Sequence, residues 1–264
     1  NFVTGGTSVS IFGGSGNDVL TFGSRAISSS DSLLGGVGND SFDFDGNVTS
    51  TTAVGGSGQD TFVFANTVTG AYVSGDADKD SIVFSEVVNG GTSIMGGAGN
   101  DTLSFGNGAT SVSIAGGTGV DSIAFSGAQV ANSTIDLGSD ADVFSLTIGA
   151  SASTIMGGAN NDTLVFSGEL TTVSVSGGDG ADSISVSSEI TSGSTLSGGL
   201  GNDTLLISSG ITGSLVSMDS GSDLLTFNST VLNSTIDLGI GADSVTFKSG
   251  FSTSTVAGGA GNDT

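Results

Sequence analysis

The sequence lacks the residues on which many enzymes and metalloproteins depend. Its 264 residues include no Cys, no His, no Pro and no Trp. Without His or Cys, these residues cannot form a zinc hydrolase site, a Ser-His-Asp triad or a Cys nucleophile. Without Cys, the chain is not a disulfide-stapled scaffold either. These absences favour a chain that is not an enzyme.

Positive charge and long apolar runs are equally scarce. The only basic residues are Arg25, Lys79 and Lys248, against 26 acidic residues, and the formal net charge is −23. Such a charge repels phosphate backbones and anionic membranes, so we expect no nucleic-acid partner. No apolar run approaches 18 residues, so we expect no membrane insertion. Hydrophobic residues nevertheless make up 36% of the chain, which is too many for a disordered protein.

What the chain does have is one repeat. The chain has 47 glycines, and many of them recur in hexapeptides such as GGSGND, GGVGND and GGAGND. Weaker copies such as GDADKD and LGSDAD keep the final aspartate. The final aspartates, which we call the register aspartates, follow one another at intervals of 20 to 22 residues. They are Asp18, Asp40, Asp60, Asp80, Asp101, Asp121, Asp142, Asp162, Asp182, Asp203, Asp223, Asp243 and Asp263.

Each register aspartate is followed by a strand pattern. Apolar residues stand two and four places later, as in Leu103 and Phe105, which indicates a strand with one buried face. A Ser/Thr-rich strand then leads back to the next glycines. A unit of about 20 residues cannot bury its apolar face alone, so the units must stack. The sequence predicts an all-β parallel β-solenoid (β-roll or β-helix) of about thirteen coils, with two short strands per coil. We expect residues 1–264 to form a single uninterrupted solenoid, and to be an excerpt of a longer protein, because both ends fall inside the repeat.

Stacking places the thirteen register aspartates in a column, one strand spacing apart. Carboxylates so close repel one another and need a cation between them. A hard divalent ion that accepts carboxylate and carbonyl oxygens in flexible geometry fits best, and that ion is Ca²⁺ rather than Mg²⁺. The alternative is that the aspartates only cap turns through Asx hydrogen bonds. A whole column of negative charges makes that alternative the weaker one.

The motif GGxGxD followed by alternating apolar residues resembles the RTX calcium-binding repeat family. The resemblance implies a calcium-loaded β-roll with the register aspartates and loop carbonyl oxygens as ligands. The usual RTX repeat has nine residues and two calcium edges, whereas the period here is about 20. We therefore expect several stacked Ca²⁺ ions along one edge only. The loops at Asp80 and Asp142, whose glycines are altered, are expected to deviate most.

The resemblance implies secretion, and an extracellular or bacterial cell-surface location. The uniform repeats favour a calcium-stabilised structural protein, such as an S-layer, sheath or filament, that associates with itself and binds glycans. The alternatives are an adhesin stalk, or the RTX secretion and folding module of a larger toxin or secreted enzyme. Ice binding is disfavoured because the third loop position carries no regular Thr row. Calcium bridging between molecules would use surface carboxylates, for which we expect Asp31, Asp43, Asp45 and Glu189.

Overall fold

A computed structural model describes residues 8–24, 26–27 and 30–264. The described residues form parallel β-strands and contain no helix, so no helix in this part of the chain could span a membrane. Two compact units are present, Asn1–Thr134 and Ile135–Thr264. Each unit is built from coils of about 20 residues whose strands pair in register with those of the next coil. This architecture confirms the predicted all-β parallel β-solenoid.

In the first unit, each coil contributes one strand to each of three parallel sheets, except that the first described coil reaches the third sheet only through an isolated bridge between Ile27 and Val48. The first sheet leads into the glycine-rich loops and contains β1 (Ser10–Ser15), β3 (Ser32–Val37), β6 (Thr52–Ser57), β9 (Tyr72–Ala77), β12 (Ser93–Ala98) and β15 (Ser113–Thr118). The second follows the register aspartates and contains β2 (Val19–Phe22), β4 (Ser41–Phe44), β7 (Thr61–Phe64), β10 (Ser81–Phe84), β13 (Thr102–Phe105) and β16 (Ser122–Phe125). The third contains β5 (Val48–Thr49), β8 (Val68–Thr69), β11 (Val88–Asn89), β14 (Ala109–Thr110) and β17 (Val130–Ala131).

The second unit repeats the arrangement. Its first sheet contains β18 (Thr134–Ser139), β21 (Thr154–Ala159), β24 (Ser174–Asp179), β27 (Thr195–Leu200), β30 (Leu215–Ser220), β33 (Thr235–Asp237), β34 (Ile240–Gly241), β37 (Thr255–Ala257) and β38 (Ala260–Gly261). The second contains β19 (Val143–Leu146), β22 (Thr163–Phe166), β25 (Ser183–Val186), β28 (Thr204–Ile207), β31 (Leu224–Phe227) and β35 (Ser244–Phe247). The third contains β20 (Ala150–Ser151), β23 (Leu170–Thr171), β26 (Ile190–Thr191), β29 (Ile211–Thr212), β32 (Val231–Leu232) and β36 (Phe251–Ser252).

The two-residue strands of the third sheet are additional to the two strands per coil that the sequence predicts. A single apolar residue marks each of them, and a pattern of one residue carries no periodicity. These strands form because identical corners stack: Val48 pairs with Val68, and Val68 pairs with Val88. Each corner thereby satisfies backbone groups that would otherwise face the interior unpaired.

The interior is a ladder of apolar side chains. In the first unit, Phe44, Phe64 and Phe84 are fully buried and stack with ring centroids 4.5 and 4.7 Å apart. These spacings match the strand spacing because each coil repeats the same side chain one strand further on. These Phe residues therefore belong to the hydrophobic core, and the polar functional groups lie at the corners of the coils.

Candidate metal edge of the solenoid

Glycine-rich turns place the register aspartates at one edge of each unit. The second and fourth residues of each loop have positive φ, as in Gly36 (118°) and Gly38 (125°). Where glycine is absent, the substitutes keep this conformation: Asp76 has a φ of 86°, Asp78 of 76° and Asp140 of 85°. Asp and Asn are the non-glycine residues that best tolerate such angles. The predicted deviation of the Asp80 and Asp142 loops is therefore not seen in the backbone angles at these positions.

The register aspartates point inward and form a hydrogen-bonded column in each unit. The backbone N–H of Asp40 donates to Oδ1 of Asp60 at 2.7 Å, and the N–H of Asp60 donates to Oδ1 of Asp80 at 2.7 Å. The same bond recurs in the second unit, where the Asp162 N–H donates to Asp182 at 2.7 Å. One carboxylate oxygen per coil is thus satisfied by the neighbouring coil.

The other carboxylate oxygen, Oδ2, is buried and receives no hydrogen bond. This holds for Asp18, Asp40, Asp60, Asp80, Asp101, Asp162, Asp182, Asp203, Asp223 and Asp243. A buried anionic oxygen without a partner costs several kcal/mol, roughly, unless a cation or a proton compensates for it. Because this cost recurs in successive coils, cations or protons must compensate for the buried Oδ2 atoms along this edge.

Loop carbonyl oxygens share the small space that Oδ2 faces. A Cβ atom added to Gly96 would lie 2.5 Å from Oδ2 of Asp101 and 2.6 Å from the carbonyl oxygen of Gly116 in the next coil. Among the described residues, no group of three or more acidic side chains converges. A metal here would therefore take one or two carboxylate oxygens and complete its shell with backbone carbonyls. Ca²⁺ accepts such oxygen sets, so the residues fit this ion.

The same burial changes the acidity of the column. Burial is the main cause that raises the pKa of Asp80 and Asp162 to about 7, and that of Asp60 to about 6. The hydrogen bond from the backbone N–H of the register aspartate one coil earlier lowers each pKa. Repulsion from a neighbouring register aspartate raises it further. Burial likewise raises the pKa of Asp101 and Asp182. The environment of this edge thus disfavours register aspartates that are ionised and have no cation beside them.

The opposite corner is built differently. Its inward position carries mostly hydroxyl side chains, such as Thr92 and Ser194, which are buried. The Ser194 hydroxyl accepts the Val173 N–H at 3.2 Å and donates to the Thr191 carbonyl at 2.9 Å. These uncharged hydroxyls accept and donate the hydrogen bonds of the corner. Among the described residues, the corner therefore has no column of buried, unpartnered carboxylate oxygens like the one at the glycine-rich edge. This hydroxyl ladder was not singled out from the sequence, although its period of about 20 residues could have shown it.

Asp31 is a charged residue at this corner, and the prediction that it is a surface carboxylate was wrong. Only 2% of its surface is exposed, and its Oδ1 accepts the Val9 N–H at 2.7 Å. Asp31 takes the inward position that Thr51 takes in the next coil. Asp45 and Glu189 are exposed as expected, and Asp43 is half-buried.

The sequence interpretation also missed a row of exposed amides beside the register aspartates. The side-chain oxygen of Asn17 accepts the Asn39 N–H at 2.9 Å, and that of Asn39 accepts the Gln59 N–H at 3.0 Å. In the second unit, Asn161 accepts the Ala181 N–H at 2.8 Å. Asn at the fifth loop position was the available signal. These amides hold neighbouring loops at a fixed spacing.

Comparison with known proteins agrees with this geometry. The family model "RTX calcium-binding nonapeptide repeat" matches four segments, residues 1–24, 89–112, 149–168 and 193–206. Four segments of the chain are thus similar to RTX calcium-binding repeats, which confirms the resemblance noted from the sequence. No curated protein sequence matches the chain significantly.

Among solved structures, the chain is similar to an X-ray structure of "a hyperactive, Ca²⁺-dependent, beta-helical antifreeze protein from an Antarctic bacterium". The two are 22% identical, the match covers 95% of this chain and 83% of that chain, and the TM-score is 0.58. At this identity the likeness concerns the fold alone.

Proposed function

We propose that this chain is a calcium-stabilised structural repeat protein of the bacterial cell surface or extracellular matrix, with Ca²⁺ held between successive register aspartates along one edge. The observation that carries the proposal is the repeated Oδ2 atom, buried and without a partner, beside loop carbonyl oxygens. The residues that would hold the ions are the register aspartates and the first glycine carbonyls of the loops. When bound, Ca²⁺ supplies the positive charge that three basic residues cannot supply to 26 acidic ones.

The chain's own residues prepare this edge for a cation. Hydrogen bonds from backbone N–H groups fix Oδ1, which leaves Oδ2 beside the first glycine of its loop, where a carbonyl oxygen of the next coil also lies. Ligands drawn from two neighbouring coils couple ion binding to coil stacking, so we expect folding and calcium binding to be cooperative.

A structural role is supported by the outward surface. In the first unit, the residues that follow the register aspartates pair in register as Ser41, Thr61, Ser81 and Thr102. They form a row of exposed and half-buried hydroxyls suited to broad, shallow contacts with other copies or with glycans. Exposed carboxylates such as Asp45 and Glu189 offer calcium bridges between molecules. We propose no catalytic role for these residues.

Two measurements test this function. Far-UV circular dichroism in EGTA should show loss of β-structure at neutral pH, and millimolar Ca²⁺ should restore it. Imaging of the native cell surface should show an ordered layer or filament that EGTA disperses. A full β-spectrum in EGTA at neutral pH would refute calcium dependence. A chain that stays dispersed at every calcium concentration would favour the adhesin stalk or the secretion module of a larger toxin or enzyme.

Ice binding is the competing function that the structural neighbour raises. A regular ice-binding surface needs a flat, uniform row of side chains. The third loop position instead carries bulky apolar residues in some coils, such as Val37 (60% exposed), Leu200 (56%) and Ile240 (65%). We therefore expect no thermal hysteresis from the calcium-loaded protein, and a measurable hysteresis gap would overturn this choice.

A further inference from the structure

The first position of the repeated loop differs between coils. It is glycine in every loop of the first unit, whereas Leu137, Met218 and Leu238 occupy it in three loops of the second unit. The register aspartates of those loops are Asp142, Asp223 and Asp243. Glycine at this position has negative or extended φ in the described loops, so the turn conformation does not require glycine. Glycine is required instead because a Cβ atom at this position would collide with neighbouring oxygens.

The space that this Cβ atom would occupy lies between two oxygens that the calcium edge offers. A Cβ atom on Gly13 would lie 2.7 Å from Oδ2 of Asp18 and 2.6 Å from the carbonyl oxygen of Gly35 in the following coil. The same relation holds in the second unit, where a Cβ on Gly198 would lie 2.5 Å from Oδ2 of Asp203. An absent side chain at the first loop position thus keeps open the gap where these oxygens converge.

In the three exceptional loops a real side chain starts at this point and turns inward. Leu137 and Met218 are fully buried, and Leu238 is 2% exposed. Ca²⁺ needs six to eight oxygen ligands at about 2.3–2.6 Å. A branched or thioether side chain supplies no oxygen of this kind. Its Cβ also takes the position that, in the glycine-first loops, lies within 2.7 Å of Oδ2 of the register aspartate.

We propose that the calcium column is interrupted at Leu137, Met218 and Leu238, so that the loops ending at Asp142, Asp223 and Asp243 do not hold a tightly bound ion. This inference rests on the proposed calcium function and specifies which loops hold the ions. Ions fill the glycine-first loops of the first unit without a break, whereas in the second unit they fill only the loops ending at Asp162, Asp182, Asp203 and Asp263. At the three interrupted corners, buried apolar side chains fill the interior beside the loop. The unpartnered Oδ2 atoms of Asp223 and Asp243 then have to be relieved by a proton or by a weakly held cation.

The stoichiometry of bound calcium tests this distribution. The triple variant L137G/M218G/L238G, assayed by equilibrium dialysis with metal analysis, should bind about three more ions per chain than the unchanged protein. The single variant L137G should bind about one more, and it serves if the triple variant does not fold. The matched control is Leu196→Gly, which removes a buried leucine near the same edge without altering the first loop position, and should leave the number of ions unchanged.

Crystals of the unchanged, calcium-loaded protein provide a second test that needs no variant. The anomalous difference map should show peaks beside Asp40, Asp60 and Asp162 and none beside Asp142, Asp223 and Asp243. Peaks of equal height in all of these loops, or equal ion counts in the triple variant and the unchanged protein, would overturn the inference while leaving calcium binding intact. Absence of tightly bound calcium from both proteins would instead refute the proposed function, and the inference with it.

Discussion

Removing calcium should make the stability of this protein strongly dependent on pH. In the calcium-free fold, burial raises the pKa of Asp60, Asp203 and Asp223 to about 6, and that of Asp80 and Asp162 to about 7, from an ordinary value of 3.8. A group whose pKa is higher in the folded state stabilises the fold fully below its unfolded pKa. That stabilisation is lost as the pH rises through the folded pKa. The calcium-free fold should therefore be favoured by acid and lost towards neutral pH.

The magnitude follows from the two sets of pKa values. One pH unit of pKa difference corresponds to about 1.4 kcal/mol. Between pH 5 and pH 8, a group with a folded pKa near 6 loses about 1.4 kcal/mol and one near 7 loses about 3 kcal/mol. The five aspartates together lose on the order of 10 kcal/mol, which matches the whole net stability of a typical domain, about 5–15 kcal/mol. Calcium reverses the direction, because protons then compete with the ion for the carboxylates.

The assay is far-UV circular dichroism in EGTA from pH 5 to pH 8, repeated with millimolar Ca²⁺. In EGTA we expect β-structure at pH 5 that melts out towards pH 8, whereas with Ca²⁺ it should persist at pH 8. The double variant D80N/D162N removes the two groups with the highest pKa and should shift the calcium-free transition to higher pH. The exposed control Asp45→Asn should leave it in place. Since burial is the main cause, 1 M NaCl at pH 8 should not restore the fold. Restoration by salt alone, or a pH-independent spectrum in EGTA, would refute the reasoning.

Three further predictions concern single positions. Phe64→Ala should lower the free energy of unfolding of the calcium-loaded protein by about 3–5 kcal/mol, because it empties one rung of the aromatic ladder; denaturant titration measures this. Asp140→Gly should raise stability by about 1 kcal/mol, since Asp140 has a φ of 85° that glycine adopts without strain; an unchanged or lower melting temperature would contradict it. Thr92→Val should cost about 1–3 kcal/mol, because its Oγ1 accepts the Ala71 N–H and donates to the Asn89 carbonyl, and the number of bound calcium ions should not change.

Repetition allowed the sequence to determine the fold class and the location of the candidate site. Apolar residues two and four places after each register aspartate can be buried only if the coils stack, and a constant period forces like residues into register. Leu103 pairs with Ile123, and Phe105 with Phe125, as that period requires. The aspartate column at one edge follows from the same argument, and the expectation of a cation beside it rests on the repulsion within that column.

Tertiary structure decided what depends on the environment of individual atoms. The sequence does not distinguish Oδ1, which is hydrogen-bonded to the neighbouring coil, from Oδ2, which is buried without a partner. It placed Asp31 on the surface, whereas packing at the second corner buries it. It also could not reveal that the side chains of Leu137 and Met218, at the first loop position, are fully buried. The period of a repeat sets which residues are neighbours, but burial and hydrogen bonding arise only when backbone groups from separate coils come together, and these determine the charge that each carboxylate can bear.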